Sequence, residues 1–103
     1  MDKIAGLREI LAQDPKNALA RYGIAIELAN GGEVDESLAE FNALLANNPD
    51  YTAAYFMAAQ ALSKAGRTPE AIERLKAGID SARRTGNQHA LNEMQGMLDE
   101  LDR

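Results

Sequence analysis

The side chains best suited to chemistry lie near the C-terminal end of the sequence. His89 is the only histidine, with Asn92 and Glu93 about one helical turn beyond it, and the carboxylates of Asp99, Glu100 and Asp102 follow. A histidine acting as general base needs an oriented partner and a nucleophile within reach, and the sequence supplies no such set. His89 therefore reads as a surface or capping residue in the short connector before the last helix. The three carboxylates lack the spacing and central glycine of a calcium loop, so a solvated helix end accounts for them better. There is no cysteine, which excludes thiol catalysis, disulfides and zinc–thiolate centres. Glycines occur singly or in pairs, without a dinucleotide fingerprint or a phosphate loop after a strand. The expectation is a protein that is not an enzyme and uses no cofactor and no metal.

Charge narrows the partners. The formal charge of −5 disfavours nucleic acid, whose binding depends largely on neutralised phosphates. Residues 22–63 hold six acids (Glu27, Glu33, Asp35, Glu36, Glu40 and Asp50) and no Lys or Arg. Residues 64–84 reverse the sign, with six bases (Lys64, Arg67, Arg74, Lys76, Arg83 and Arg84) against Glu70, Glu73 and Asp80. Solvated helix faces explain most of this polarity. The opening "MDKIAGLREILAQDP" carries Asp2 and mixes charge into its apolar residues, unlike a secretory signal. No apolar run approaches the ~18 residues of a membrane span. A cytoplasmic protein with no membrane contact is expected.

The elements that must carry any function are set by two prolines. Pro15 follows Asp14, Pro49 follows Asn48, and the segments after them superpose without a gap at a period of 34 residues. Ala18, Ile24, Ala25 and Leu28 fall on Thr52, Ala58, Ala59 and Leu62, all at helical spacing. Gly32 then matches Gly66. A second apolar run follows, in which Ser37, Leu38, Phe41, Leu44 and Leu45 fall on Ala71, Ile72, Leu75, Gly78 and Ile79. Each copy is a helix, a glycine turn and another helix. A proline disfavours helical geometry in the residue before it, so "DP" and "NP" mark repeat boundaries. Thr68 is a candidate cap with Pro69 in the first turn, and Asp35 and Glu36 suit a helix N-terminus.

Ile4, Leu7, Ile10 and Leu11 occupy second-helix slots ahead of the first copy, and Leu91, Met94, Leu98 and Leu101 define a closing helix from about Gln88. The expected architecture is all-α: about six antiparallel helices in a single domain over residues 1–103. It comprises a leading half repeat at 1–15, repeats at 16–49 and 50–83, and a capping helix at 87–102. Such a length supports a modest continuous core without staples.

The period and the combined slots resemble the tetratricopeptide repeat family, whose unit places W-x2-L-G-x2-Y, then A-x3-F, then P. The second copy follows it with Tyr55, Ala58, Ala59 and Leu62, then Ala71 and Leu75. The first copy is looser, with Arg21 at the large aromatic slot and Ser37 at the alanine slot. The resemblance implies an α-α superhelix whose inner wall, lined by the first helix of each pair, binds peptides or helices of partner proteins. Carried onto this sequence, that wall holds Leu19, Tyr22, Gly23, Ile26 and Asn30, then Ala53, Phe56, Met57, Gln60 and Lys64. Tyr22 with Ile26, and Phe56 with Gln60, lie four apart on one helical face. A subgroup of the family clamps C-terminal carboxylates with Lys, Asn and Arg. The matching positions here are Tyr22, Ile26, Met57, Asn87 and Leu91, which do not make up that set, so a carboxylate clamp is disfavoured. The resemblance thus implies apolar recognition of a protein partner by Leu19, Tyr22, Ile26, Phe56, Met57 and Gln60, in an adaptor or assembly role. Self-assembly through that wall or through the oppositely charged segments is the alternative, and packing of these residues on the closing helix or the leading half repeat competes with both.

Overall fold

The structure, a computed structural model, describes residues 2–103. Among them are six α-helices and no strand: α1 (Lys3–Gln13), α2 (Ala18–Asn30), α3 (Val34–Asn47), α4 (Thr52–Lys64), α5 (Thr68–Thr85) and α6 (Gln88–Leu101). The chain divides into two compact units, Met1–Asn48 and Pro49–Arg103. In the first, α2 packs on both α1 and α3; in the second, α5 packs on both α4 and α6, and α4 also touches α6.

The helix ends follow local chemistry. Gly32, Gly66 and Gly86 have φ of 82°, 77° and 69°, in the left-handed region where a side chain would be strained. Beyond each, an N–H reaches back five residues to a helix carbonyl: Glu33 to Leu28 at 2.9 Å, Arg67 to Leu62 at 2.9 Å, Asn87 to Ala82 at 2.8 Å. α1 and α3 end differently, at Asp14 and Asn48, whose ψ values of 82° and 76° leave the helix just before a proline. The carboxylate of Asp2 and the amide oxygens of Asn17 and Asn87 accept backbone N–H bonds at the starts of α1, α2 and α6. Thr68 does not cap α5. Arg67 holds that position without a side-chain bond to the backbone, its carbonyl accepting from the Ala71 N–H at 3.0 Å, and Thr68 is already helical. His89 lies in the first turn of α6, not in a connector.

Several positions one period apart share their burial. Ile24 and Ala58, Ala25 and Ala59, Leu28 and Leu62, and Phe41 and Leu75 are all buried. Removing side chains of the size of Phe41, Leu62 and Leu75 from water stabilises by about 1.5–3 kcal/mol each. Small residues seat the outer helices. A Cβ on Gly23 of α2 would lie 3.0 Å from Leu7 Cδ1 of α1, and one on Gly78 of α5 would meet the Met94 side chain of α6 and lie 2.7 Å from Tyr55 Cβ. Met94 is fully buried, so α6 docks by a thioether lodged in the space that Gly78 leaves.

The polar side chains inside these units are partnered. Ser37 donates to the Ala25 carbonyl at 2.9 Å, and the Thr52 and Ser81 hydroxyls lie 2.8 Å apart. Among the described residues, no buried side-chain nitrogen or oxygen lacks a partner. None of the helices is long and apolar enough to cross a membrane.

Candidate functional site

Helix α4 divides sharply into two faces. Ala54, Ala58, Ala59, Ala61 and Leu62 are buried in the second unit. Small alanines on that side let α4 approach its neighbours closely, which leaves the large side chains Phe56 and Met57 on the other side, half-buried like Gln60. Phe56 and Gln60 line a cleft of about 590 Å³ whose opposite wall is α6, contributed chiefly by Asn92, Glu93, Gly96 and Met97. Lys64 stands at the end of α4 on this cleft, and Glu100 at the corresponding end of α6. A smaller cavity of about 230 Å³ shares Phe56 and Glu93 and adds Ala53, His89 and Ala90. Met57 lines neither.

Gly96 was not among the residues that the repeat slots pointed to. It sits inside α6, where a glycine costs about 1 kcal/mol relative to alanine, and a Cβ built on it would meet nothing within 4 Å. Gly23 and Gly78 are each required by a neighbouring side chain, and Gly96 is not. Glu93 and Glu100 flank it three residues before and four after, so all three share a face of α6. Its signal in the sequence is a lone glycine between two acids at helical spacing, on the closing helix and so outside the first-helix slots that the repeat assigns to the inner wall.

In the first unit the same slots are used differently. The Tyr22 ring stands edge-on to buried Phe41, with centroids 6.4 Å apart and planes at 65°, so it contributes to packing between α2 and α3. Ile26 is half buried. Leu19 is 70% exposed and borders a small hollow of about 130 Å³ with Leu7 and Ile10, the latter 46% exposed. The structure thus brings Phe56 and Gln60 together on one cleft, leaves Leu19 open beside α1, and turns Tyr22 toward Phe41.

The basic stretch of α5 is locally compensated. Arg67 pairs with Glu70 at 2.8 Å, Lys76 with Glu73 at 3.9 Å and Arg83 with Asp80 at 3.7 Å. The Arg84 guanidinium donates to Asp50 Oδ1 at 3.0 and 2.7 Å, which is the main reason the Asp50 carboxyl is held below the usual carboxylate range. Burial lowers the Arg74 guanidinium against the opposing pull of Glu70 and Tyr55. Near the cleft, His89 Nε2 lies 3.1 Å from Glu93 Oε1. No group of three or more His, Cys, Asp or Glu side chains that could hold a metal ion occurs among the described residues.

Comparison with known proteins agrees with this architecture. Residues 28–93, well over half of the chain, match the tetratricopeptide repeat family, and the chain belongs to that family. Members are generally protein–protein interaction modules without catalytic activity. A TPR repeat-containing protein of Pseudomonas aeruginosa is 28% identical over 100 residues, covering 97% of this chain and 95% of the relative. Among solved structures, a protein from Bordetella parapertussis superposes with a TM-score of 0.86 at 25% identity, covering 99% of this chain and 89% of the other. The tetratricopeptide repeat domain protein of Salinibacter ruber, solved in solution, gives 0.77 at 30% identity over 84% of this chain and 88% of its own.

Proposed function

We propose that this chain is an adaptor or assembly factor that binds a peptide or helix of a partner protein, with Phe56, Met57 and Gln60 of α4 and Leu19, Tyr22 and Ile26 of α2 as contact residues. The observation that carries this is the division of α4: its alanine face is consumed by the core, and its large apolar side chains are left on the opposite face, Phe56 lining the cleft and Met57 beside it in sequence. Phe56 and Met57 are of the type that dominates protein–protein contacts when desolvated by a partner. The clamp positions on α2 and α4 hold Tyr22, Ile26 and Met57 in place of lysine and asparagine, and the Asn87 amide oxygen caps α6, which favours apolar recognition over capture of a free carboxylate.

Affinity capture from a lysate of the source organism tests it, comparing the native chain with a variant carrying Phe56→Ala and Met57→Ala. A partner retained by the native chain and lost with the variant, at unchanged helicity by circular dichroism, is the expected outcome. Identical captures would remove α4 from the binding surface.

Self-association is the second reading, favoured by the exposed Leu19 beside Ile10. Its electrostatic form is weakened by the local pairing of the α5 bases. Sedimentation velocity of the native chain and of Leu19→Lys decides: a concentration-dependent increase in mass, lost in the variant, supports it, and a monomer throughout removes it.

A further inference from the structure

We propose that the cleft between α4 and α6 selects a cationic amphipathic helix, one with an apolar stripe flanked by lysine or arginine; this rests on the reading of α4 as a partner-binding face. Three features of the cleft converge on that chemistry. Phe56 and Met97 supply apolar surface on opposite walls. Gly96 lies on the α6 wall with open space where its side chain would be, so a partner backbone can come close there. Glu93 and Glu100 bracket that glycine, and α6 contains no Lys or Arg, its one basic side chain being His89, whose Nε2 lies 3.1 Å from Glu93 Oε1. Lys64 is the cation on this cleft, and it lies on the α4 side.

The arrangement favours a helix over an extended segment. Both walls are helices whose backbone groups are already bonded, so they cannot pair with an extended chain, whereas a helix arrives with its own backbone satisfied. Glu93 and Glu100 are seven residues apart, about 10 Å along the axis at 1.5 Å per residue. A complementary helix carries two basic residues at a similar separation, with leucine or a similar residue between them facing Phe56, Gly96 and Met97. Such a preference is opposite in sign to carboxylate capture.

The test uses fluorescein-labelled amphipathic peptides and fluorescence anisotropy. One peptide has two lysines seven residues apart with leucines midway between them; a second has glutamates in place of the lysines, a third has glutamines, and a fourth scrambles the first. The lysine peptide is expected to bind and to weaken several-fold when salt rises from about 50 to about 500 mM. Glu93→Gln with Glu100→Gln is expected to cost about three- to tenfold in its affinity without changing the unfolding midpoint. Gly96→Ala is expected to raise the midpoint and yet weaken binding, which a glycine serving the fold alone would not do.

Glutamate or glutamine peptides binding as tightly as the lysine peptide, with loss on Phe56→Ala, would overturn the charge preference and leave the α4 surface standing. Equal binding of the scrambled peptide would show attraction to net negative charge only, and would overturn the proposal. No binding by any peptide overturns the proposal, and capture with the Phe56→Ala and Met57→Ala variant then decides the reading of α4 separately.

Discussion

Where the first unit has Arg21, the second has Tyr55 one period later, and the facing helix changes with it, from Glu40 to Arg74. In the first unit the pair is ionic. Arg21 Nη1 lies 2.7 Å from Glu40 Oε1, Arg8 reaches Glu40 Oε2 at 3.5 Å, and one carboxylate thereby links α1, α2 and α3. In the second unit, the Tyr55 hydroxyl donates to the Pro49 carbonyl at 2.7 Å and its Cβ lies against Gly78. A second exchange accompanies the first: Leu44 in one unit becomes Gly78 in the other, and Met94 of α6 fills the difference. The same backbone repeat is held by different side-chain solutions, each consistent within its unit. The lesson is that slots covary within a unit, so importing a single residue from the other unit should break it.

The largest break is Gly78→Leu, which brings the first unit's residue into the second. The new side chain would contest space with Met94 and Tyr55, and a loss of about 3 kcal/mol is expected from the urea unfolding midpoint. Adding Met94→Ala should recover part of that loss, because the thioether vacates the same space. An unchanged midpoint for Gly78→Leu alone would show that α6 does not dock by this interlock.

Next in size is Glu40→Arg, which places a third guanidinium beside Arg8 and Arg21. Removing the partner of a half-buried cation and adding repulsion is expected to cost about 2 kcal/mol, less than for a fully buried pair because water reaches these groups. Combining it with Arg21→Tyr reproduces the second unit's chemistry and should restore most of the stability. Failure to restore it, with the single variant still destabilised, would mean that Arg8 alone accounts for the cost.

The parts of this architecture that depend on local chemistry could be read from residue order. Gly32 and Gly66 stop helices because they take positive φ, Asp14 and Asn48 leave the helix because proline follows, and the apolar slots recur because a core face must repeat with the helix. Thr68 suits a cap by residue type, yet the Arg67 carbonyl already accepts the Ala71 N–H, so the helix begins one residue earlier than that rule indicates. The cleft was only half legible. Phe56 and Gln60 stand out as slots the core does not use, but the partnership with Asn92, Glu93, Gly96 and Met97 depends on how α6 packs. That packing is set by Gly78 and Met94, two residues that are unremarkable until they meet. Tyr22 looked equivalent to Phe56 by register, yet Phe41 lies close enough to engage its ring.

A smaller difference separates Ser37 from its counterpart Ala71. Ser37 donates to a carbonyl already used by its own helix, so Ser37→Ala loses one buried bond without leaving the acceptor unpaired. A cost of about 0.5–1 kcal/mol is expected in the urea midpoint. A loss several times larger would show that this hydroxyl, not the apolar contacts around Phe41, holds α2 against α3.

The smallest expected effect concerns acid, and it belongs to the second unit alone. Asp50 is held below the ordinary carboxylate range first by the Arg84 guanidinium and, more weakly, by the Ser81 hydroxyl at 3.1 Å, with partial desolvation opposing both. A lowered folded-state value means that the unfolded chain binds the proton more readily. The stability it confers is therefore present above the unfolded value of about 4 and is lost as pH falls through the lower folded value. One period earlier the first unit has Lys16 in place of this carboxylate. Asp50→Asn should accordingly flatten the acid limb of stability against pH while leaving the order of the other variants unchanged. Because the pair is exposed, the flattening should shrink as salt is raised. An acid limb identical to that of the native chain would show that the Asp50–Arg84 pair does not set the acid sensitivity of the second unit.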